Sequence, residues 1–185
     1  MASQPFVFPQ IYSFPAFFTL QPNLTSRHAQ LEHWSALILS YTRHHRIFRL
    51  SALLDPSHAA FPLFHNASIN RHLSTAAIRT VLEFMSTHHH AEPTSRKPDD
   101  ATEFYMYWRT PGQWADALAG WIDESAQHGV VFTLFELIEG DDSAGRDFHG
   151  MDPDVLKKAL DVLVKKGRAE VFGTEELGVK FLKKT

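Results

Sequence analysis

Apolar residues recur at the spacing of one helix face in two parts of the chain, and the second part repeats the first. A shift of about 78 residues aligns them without a gap. The aligned positions are Leu73, Ile78, Leu82, Met85, Ala91 and Glu92 with Met151, Leu156, Leu160, Leu163, Ala169 and Glu170. A slightly longer shift aligns Trp34, Ile38 and Tyr41 with Trp114, Leu118 and Trp121. Apolar residues at i, i+3 and i+4 mark the buried face of a helix. A long period seen twice indicates two copies of one small domain.

The first copy is predicted to run helix, strand, helix, helix, strand, strand. The helices are expected at 26–45, within an irregular piece at 63–71, and from the N-cap Ser74 to about residue 88. Strands are expected at 47–50 and 104–109, and a polar turn or insertion at 96–102.

The second copy restarts at Thr110-Pro111, where Thr can cap a helix and Pro can occupy its first position. A strand is expected at 130–133, a short helix at 134–138 and a polar loop at 139–145. The repeated helix begins at Asp152-Pro153, and strands at 169–172 and 179–182 follow. This order, present twice, is the winged-helix arrangement. The predicted fold class is α+β, predominantly helical, with tandem winged-helix domains at 23–109 and 110–185 and an extended N-terminal arm at 1–22.

The arm is rich in aromatic residues and proline, and it is the strongest candidate for a binding segment. Proline fixes φ and lacks an N–H, which favours an extended strip over a helix. Such strips dock into apolar grooves of other proteins. The candidate contacts are Tyr12, Phe14, Pro15, Phe17, Phe18 and Leu20. The alternative is that these aromatics pack on the chain's own first domain. On the docking hypothesis, replacing Phe17 and Phe18 by Ala should leave a folded protein that no longer binds.

Composition excludes several classes of function. The formal net charge of −3 and the pI near 6.4 favour neither nucleic acid nor an anionic membrane. The chain has no Cys, which excludes disulfides and thiolate zinc sites and fits a reducing compartment. No apolar run is long enough to span a bilayer, and the proline-broken start lacks the basic residues of a signal peptide. We therefore expect a cytoplasmic protein.

Two other classes of function compete with a role in protein binding. A nucleic-acid-binding winged helix needs a basic last helix, whereas here the lysines of the second copy alternate with acids. A histidine-based metal site has its best cluster in His88-His89-His90, but consecutive helical residues point in different directions. No nucleophile, paired carboxylates or phosphate-binding glycine loop stands out. The prediction is therefore a protein that is not an enzyme and uses no cofactor or metal.

The chain resembles the smallest subunit of the ESCRT-II endosomal sorting complex over nearly its whole length. The resemblance is carried by Phe14-Pro-Ala-Phe-Phe-Thr-Leu-Gln-Pro-Asn23, Gln30-Leu31-x-x-Trp34, Tyr107-Trp108-Arg109-x-Pro111-x-x-Trp114, Phe132-Thr-Leu-Phe-Glu-Leu137, Phe148-His-Gly150 and Gly178-Val-Lys-Phe181.

The resemblance implies a non-enzymatic adaptor, present in two copies per complex and recruited peripherally to endosomal membranes. Its arm and first domain would bind the two larger ESCRT-II subunits. Its second domain would recruit the first ESCRT-III subunit, through residues that the sequence does not specify, during multivesicular-body cargo sorting. Two departures stand out. Ala16 replaces the second of two adjacent prolines, and Pro93 occupies a position that is usually aromatic.

Overall fold

A long first helix organises the N-terminal half in this computed structural model, which describes residues 4–95, 97, 101–173 and 177–183. Helix α1 spans Leu24–His45. It begins where the Asn23 side chain accepts a hydrogen bond from Ser26 N at 3.0 Å, and it ends at Arg46, whose φ of 54° is left-handed. Its buried side chains form the stripe that the sequence predicts, including Trp34, Ile38 and Tyr41.

The remaining elements of this half follow the predicted order, with one exception. They are β1 (Arg49–Ser51), α2 (Phe61–Phe64), β2 (His65–Asn66), β3 (Arg71–His72), α3 (Thr75–Thr87), β4 (Ala91–Pro93) and β5 (Glu103–Met106). The exception is that two short strands, β2 and β3, lie between α2 and α3, where no strand was predicted. Strands β1, β5 and β4 form an antiparallel sheet in that order, with Leu50 opposite Phe104 and Ala91 opposite Met106. Strands β2 and β3 pair separately. Most of the expected insertion at 96–102 lies outside the described residues.

The C-terminal half repeats this plan. Its elements are α4 (Pro111–Ser125), β6 (Val131–Thr133), α5 (Leu134–Glu139), α6 (Pro153–Lys165), β7 (Ala169–Phe172) and β8 (Gly178–Phe181). The sheet order is β6-β8-β7. Capping boxes at Thr110 with Gln113 and at Thr133 with Glu136 satisfy backbone donors that α4 and α5 leave unpaired. The Glu136 carboxylate accepts one hydrogen bond from the Thr133 backbone N–H and one from the Thr133 hydroxyl. These two bonds hold the pKa of the Glu136 carboxyl below its usual range.

Both copies of the repeated apolar pattern lie in a core. Every apolar member of the aligned set is buried, from Leu73 to Ala91 in the first copy and from Met151 to Ala169 in the second. The chain divides into the compact units Met1–Trp108 and Arg109–Thr185. The α+β prediction with two winged-helix copies is therefore confirmed.

The N-terminal segment differs from the expected extended arm. It contains short 3-10 helices at Gln10–Ser13 and Pro15–Phe18 and belongs to the first unit. Proline permits this because the second turn is closed by hydrogen bonds from Phe17 N to Phe14 O and from Thr19 N to Ala16 O, neither of which needs a proline N–H.

None of the helices in the described part of the chain combines the length and apolar character that crossing a bilayer requires.

Candidate partner-binding surfaces

The N-terminal segment is anchored by an aromatic stack. The Phe17 ring lies parallel to the Trp34 indole, with centroids 4.3 Å apart and an interplanar angle of 4°. The Phe18 ring meets the same indole edge-on at 5.6 Å. Phe17 retains only 3% of its exposure and Phe18 is also buried. Both side chains are therefore part of the first unit's core.

Two polar side chains of α1 hold the backbone of the segment. Gln30 Nε2 donates to Phe17 O at 2.9 Å and to Thr19 O at 3.0 Å, while Gln30 Oε1 accepts from Gln21 N at 3.0 Å. Trp34 Nε1 donates to Phe17 O at 3.0 Å. We call Gln30 and Trp34 the backbone clamp. Buried polar groups need partners, and the segment's carbonyls satisfy these two side chains.

Tyr12 attaches the first 3-10 helix to α2 and β2. Its hydroxyl donates to Pro62 O, and its own carbonyl accepts from Asn66 Nδ2 at 2.8 Å. Its ring stacks on Phe8 at 4.1 Å. Burial, reinforced by nearby Tyr41, raises the pKa of the Tyr12 phenol well above its usual range. Tyr12 therefore packs inward and is not on the surface.

The sequence-predicted contact residues thus separate into two groups. Tyr12, Phe17 and Phe18 are buried, and Leu20 is partly buried against the core. The expectation that Phe17 and Phe18 could be replaced by Ala without unfolding does not fit this packing. Phe14 remains 62% exposed and Pro15 is exposed, so these two residues form the outer surface of the segment.

The second unit carries its own exposed apolar side chains. Phe135 on the first turn of α5 is 71% exposed, and Phe172 at the end of β7 is 47% exposed. The Phe172 ring lies across Gly178 on β8, where an added Cβ would come within 2.5 Å of Phe172 Cε2. Gly178 therefore makes room for the ring. The sequence pattern did not single out either phenylalanine as exposed, because each lies in a stretch whose apolar residues are typical of a core.

Most basic residues on or next to α3 and α6, the last helix of each unit, form ion pairs with acidic side chains. On α3, Arg79 Nε lies 3.0 Å from Glu83 Oε1. In the second unit, Lys166 Nζ lies 2.9 Å from Asp116 Oδ1, and Lys157 Nζ lies 3.3 Å from Asp154 Oδ1. A surface with alternating signs gives little attraction for a phosphate backbone. This arrangement does not favour the nucleic-acid alternative.

The histidine cluster is dispersed by the end of α3. His89 adopts a left-handed φ of 60°, and the His88 ring packs on Phe84 at 4.3 Å, with its Nδ1 2.8 Å from Phe84 O. Among the described residues, no group of three or more His, Asp or Glu side chains is arranged to hold a metal ion.

Comparison with known proteins gives the family. A family model described as ESCRT-II complex subunit matches residues 11–152. The chain therefore belongs to the ESCRT-II complex subunit family. It is 37% identical to vacuolar protein-sorting-associated protein 25 of Xenopus laevis over 177 residues, which is 95% of this chain and 98% of that protein.

Solved structures of ESCRT-II contain a chain with the same fold as this one. Subunit VPS25 of the endosomal trafficking complex ESCRT-II superposes with a TM-score of 0.83 at 27% identity, covering 93% of this chain and 97% of that one. A chain of the endosomal complex ESCRT-II (VPS22/VPS25/VPS36) superposes with a TM-score of 0.81 at 28% identity, covering 94% and 98%. The family resemblance drawn from the sequence is confirmed.

Proposed function

We propose that this chain is a non-enzymatic adaptor subunit of ESCRT-II, bound to VPS22 and VPS36 through its N-terminal segment and first winged-helix domain. The observation that carries the proposal is the end-to-end similarity to a chain solved in the VPS22/VPS25/VPS36 complex, which covers 94% of this chain. The domains would extend over 23–109 and 110–185. The N-terminal arm, predicted at 1–22, would contribute its exposed residues to the interface, while its buried residues pack in the first unit.

On this proposal, the side chains of the segment have two different roles. Tyr12, Phe17 and Phe18 fix the segment on the first unit, and exposed Phe14 and Pro15 meet the larger subunits. A pre-folded segment loses less conformational entropy on binding than a free arm does, so fewer contacts suffice for the same affinity. Ala16 follows Pro15 within the 3-10 helix, where the turn hydrogen bonds restrain the backbone in place of a second proline.

The second domain is proposed to recruit the first ESCRT-III subunit during multivesicular-body cargo sorting, on the cytoplasmic face of endosomal membranes. Phe135 and Phe172 are proposed as its contact residues, because both are large apolar side chains that remain exposed. Two copies of the chain per complex would raise the effective concentration of a polymerising partner without any new contact.

Co-purification with VPS22 and VPS36 tests the first interface. Phe14→Ala should reduce recovery of the two larger subunits while leaving the melting temperature unchanged, since the ring is mostly in solvent. Leu53→Ala is the matched control, because Leu53 is a similarly exposed apolar residue of the same unit. If the unmodified chain, Phe14→Ala and Leu53→Ala recover equal amounts of VPS22 and VPS36, Phe14 is not part of the interface.

Binding of the first ESCRT-III subunit tests the second interface. In the full chain, Phe135→Ala and Phe172→Ala should each weaken binding without reducing recovery of VPS22 and VPS36. Val164→Ala on α6 is the control for loss of an exposed apolar side chain in the same unit. If both phenylalanine variants bind as well as the unmodified chain, the ESCRT-III surface lies elsewhere.

A further inference from the structure

The second unit ends in a small sheet whose edge strand, β7, is open on one side. In the described part of the chain, β8 is the only strand that pairs with β7. Next to β7, Leu182 N donates to Arg168 O at 2.8 Å. Since hydrogen-bonded pairs alternate along an antiparallel ladder, Ala169 and Val171 direct their N–H and C=O groups away from β8. Val171 is 38% exposed, so its backbone groups can pair with another strand.

The first unit closes the same position with a proline. In the ladder of β4 with β5, Thr94 N donates to Glu103 O at 3.0 Å, so the preceding residue, Pro93, points away from β5. The shift of 78 residues that relates the two copies aligns Pro93 with Val171. Proline has no N–H to offer, and on an edge strand it prevents further pairing. The second copy therefore keeps a backbone donor that the first copy lacks.

The side chains of β7 leave this edge uncovered and acidic. The Phe172 ring lies across Gly178, on the β8 side of the strand. Glu170 is exposed and, within the described residues, forms no ion pair. Its counterpart in the first copy, Glu92, differs because its Oε2 accepts a hydrogen bond from the Tyr107 hydroxyl at 2.7 Å. The edge of β7 thus presents backbone groups together with an exposed carboxylate.

We infer that the open edge of β7 binds an extended segment of another protein by strand addition, with a lysine or arginine opposite Glu170 and an apolar residue opposite Val171. In an antiparallel pairing, Glu170 would lie in a non-hydrogen-bonded pair, where side chains approach most closely and opposite charges are favourable. Val171 lies on the same face of the strand as buried Ala169, so an apolar neighbour extends that face. The inference is independent of the proposed function, because it rests on β7 and its neighbours alone.

A second copy of this chain fits the edge less well than a segment with an available cation. In antiparallel pairing with another β7, Glu170 would face Arg168, Glu170 or Phe172, depending on the register. Arg168 already binds Asp123, with Nη2 2.9 Å from Oδ1. Another Glu170 repels, and Phe172 carries no charge. The favoured occupant is therefore a basic segment of a different protein.

Titration of the full chain with a short synthetic peptide in which lysine and valine alternate tests the inference. Val171→Pro should weaken binding at least about tenfold, because it removes the outward N–H. The first copy accommodates proline at the aligned position, so this variant should stay folded, which circular dichroism checks. Val171→Ala is the matched control, because it shortens the side chain and keeps the N–H, and its affinity should stay within about threefold.

Two further measurements examine the charge and the place of binding. A peptide with glutamate in place of lysine should bind the unmodified chain about tenfold more weakly at low salt, and Glu170→Lys should reverse this preference. Hydrogen-exchange mass spectrometry of the unmodified chain should show slower exchange over residues 169–172 when the lysine peptide is bound.

Four results would overturn the inference. The first is a folded Val171→Pro variant that binds the lysine peptide as tightly as the unmodified chain. The second is equal affinity for the lysine and glutamate peptides. The third is exchange over residues 169–172 that the peptide leaves unchanged. The fourth is self-association of the full chain in sedimentation that Val171→Pro abolishes, since the edge would then serve a second copy.

Discussion

Replacing Gln30 by Met isolates the contribution of the backbone clamp. Met has a similar length and fits irregular gaps, so the change removes hydrogen bonds with little loss of volume. The short bonds lost are those from Gln30 Nε2 to Phe17 O and Thr19 O, and that from Gln21 N to Gln30 Oε1. A longer contact from Gln30 Nε2 to Ala16 O, at 3.3 Å, is lost as well. Gln30 is only 6% exposed, so water replaces them poorly.

The expected loss of stability follows from what remains bonded. Phe17 O keeps the Trp34 indole N–H at 3.0 Å, and Thr19 O keeps Gln21 Nε2 at 2.9 Å. The loss of one of the hydrogen bonds at each carbonyl therefore lowers the folding stability by about 1 kcal/mol. The Gln21 N–H, left without its acceptor, lowers it by about 1 kcal/mol more. Burial of a thioether in place of an amide offsets part of this sum. The net loss is about 2 kcal/mol, or roughly 8–16 °C in the melting temperature of a unit of this size.

Calorimetry and hydrogen-exchange mass spectrometry together measure this effect. Gln30→Met should lower the first unit's transition and speed exchange in peptides covering residues 16–22. Gln10→Met is the matched control, because Gln10 is exposed and its side chain makes no hydrogen bond within the described residues. If Gln30→Met and Gln10→Met shift the transition equally, the clamp does not hold the segment.

Four further changes test other parts of the structure. Phe17→Ala should cost the first unit about 3–5 kcal/mol in urea unfolding, and a loss below about 1 kcal/mol would contradict the buried stack. Leu160→Ala should cost the second unit about 2–5 kcal/mol by the same assay, since its side chain is buried in α6. Thr110→Ala should cost about 1 kcal/mol by thermal melting, and Thr110→Ser should not. Because the folded-state pKa of Tyr12 is raised, stability should fall as the pH rises above about 10, where the unfolded phenol ionises first. Urea midpoints from pH 8 to 11 should fall less steeply for Tyr12→Phe.

Elements that depend on local pattern could be predicted closely from the sequence. Helix α3 begins after Ser74 and helix α6 after Asp152, as their capping residues and apolar spacing indicate. Strand β7 has the predicted bounds, and β8 differs by one residue at each end. Strand β5 ends at Met106, before the predicted 109, because the apolar residues that follow it continue outside the sheet. Caps and periodicity act within a few residues, so a single sequence contains them.

The candidate site was only partly accessible to the same reasoning. The motif Gln30-Leu31-x-x-Trp34 carried the family resemblance, but its physical role as a clamp on the segment did not follow from it. Neither Arg71 nor His72 stood out, because each lies in a two-residue strand with no periodic pattern. The tertiary structure brings them beside the Pro15–Phe18 helix, which is more than fifty residues away in sequence.

The sequence by itself determined the duplication, the winged-helix order of elements and the family, because each is written in spacings and short motifs. The tertiary structure decided where the N-terminal aromatics lie. Proline content favours an extended chain over a helix. However, Gln30 and Trp34, which lie 13 and 17 residues beyond Phe17, offer the segment hydrogen-bond donors and a stacking surface. The free energy of that long-range packing outweighs the local preference, so Phe17 and Phe18 fold inward and Phe14 is left at the surface.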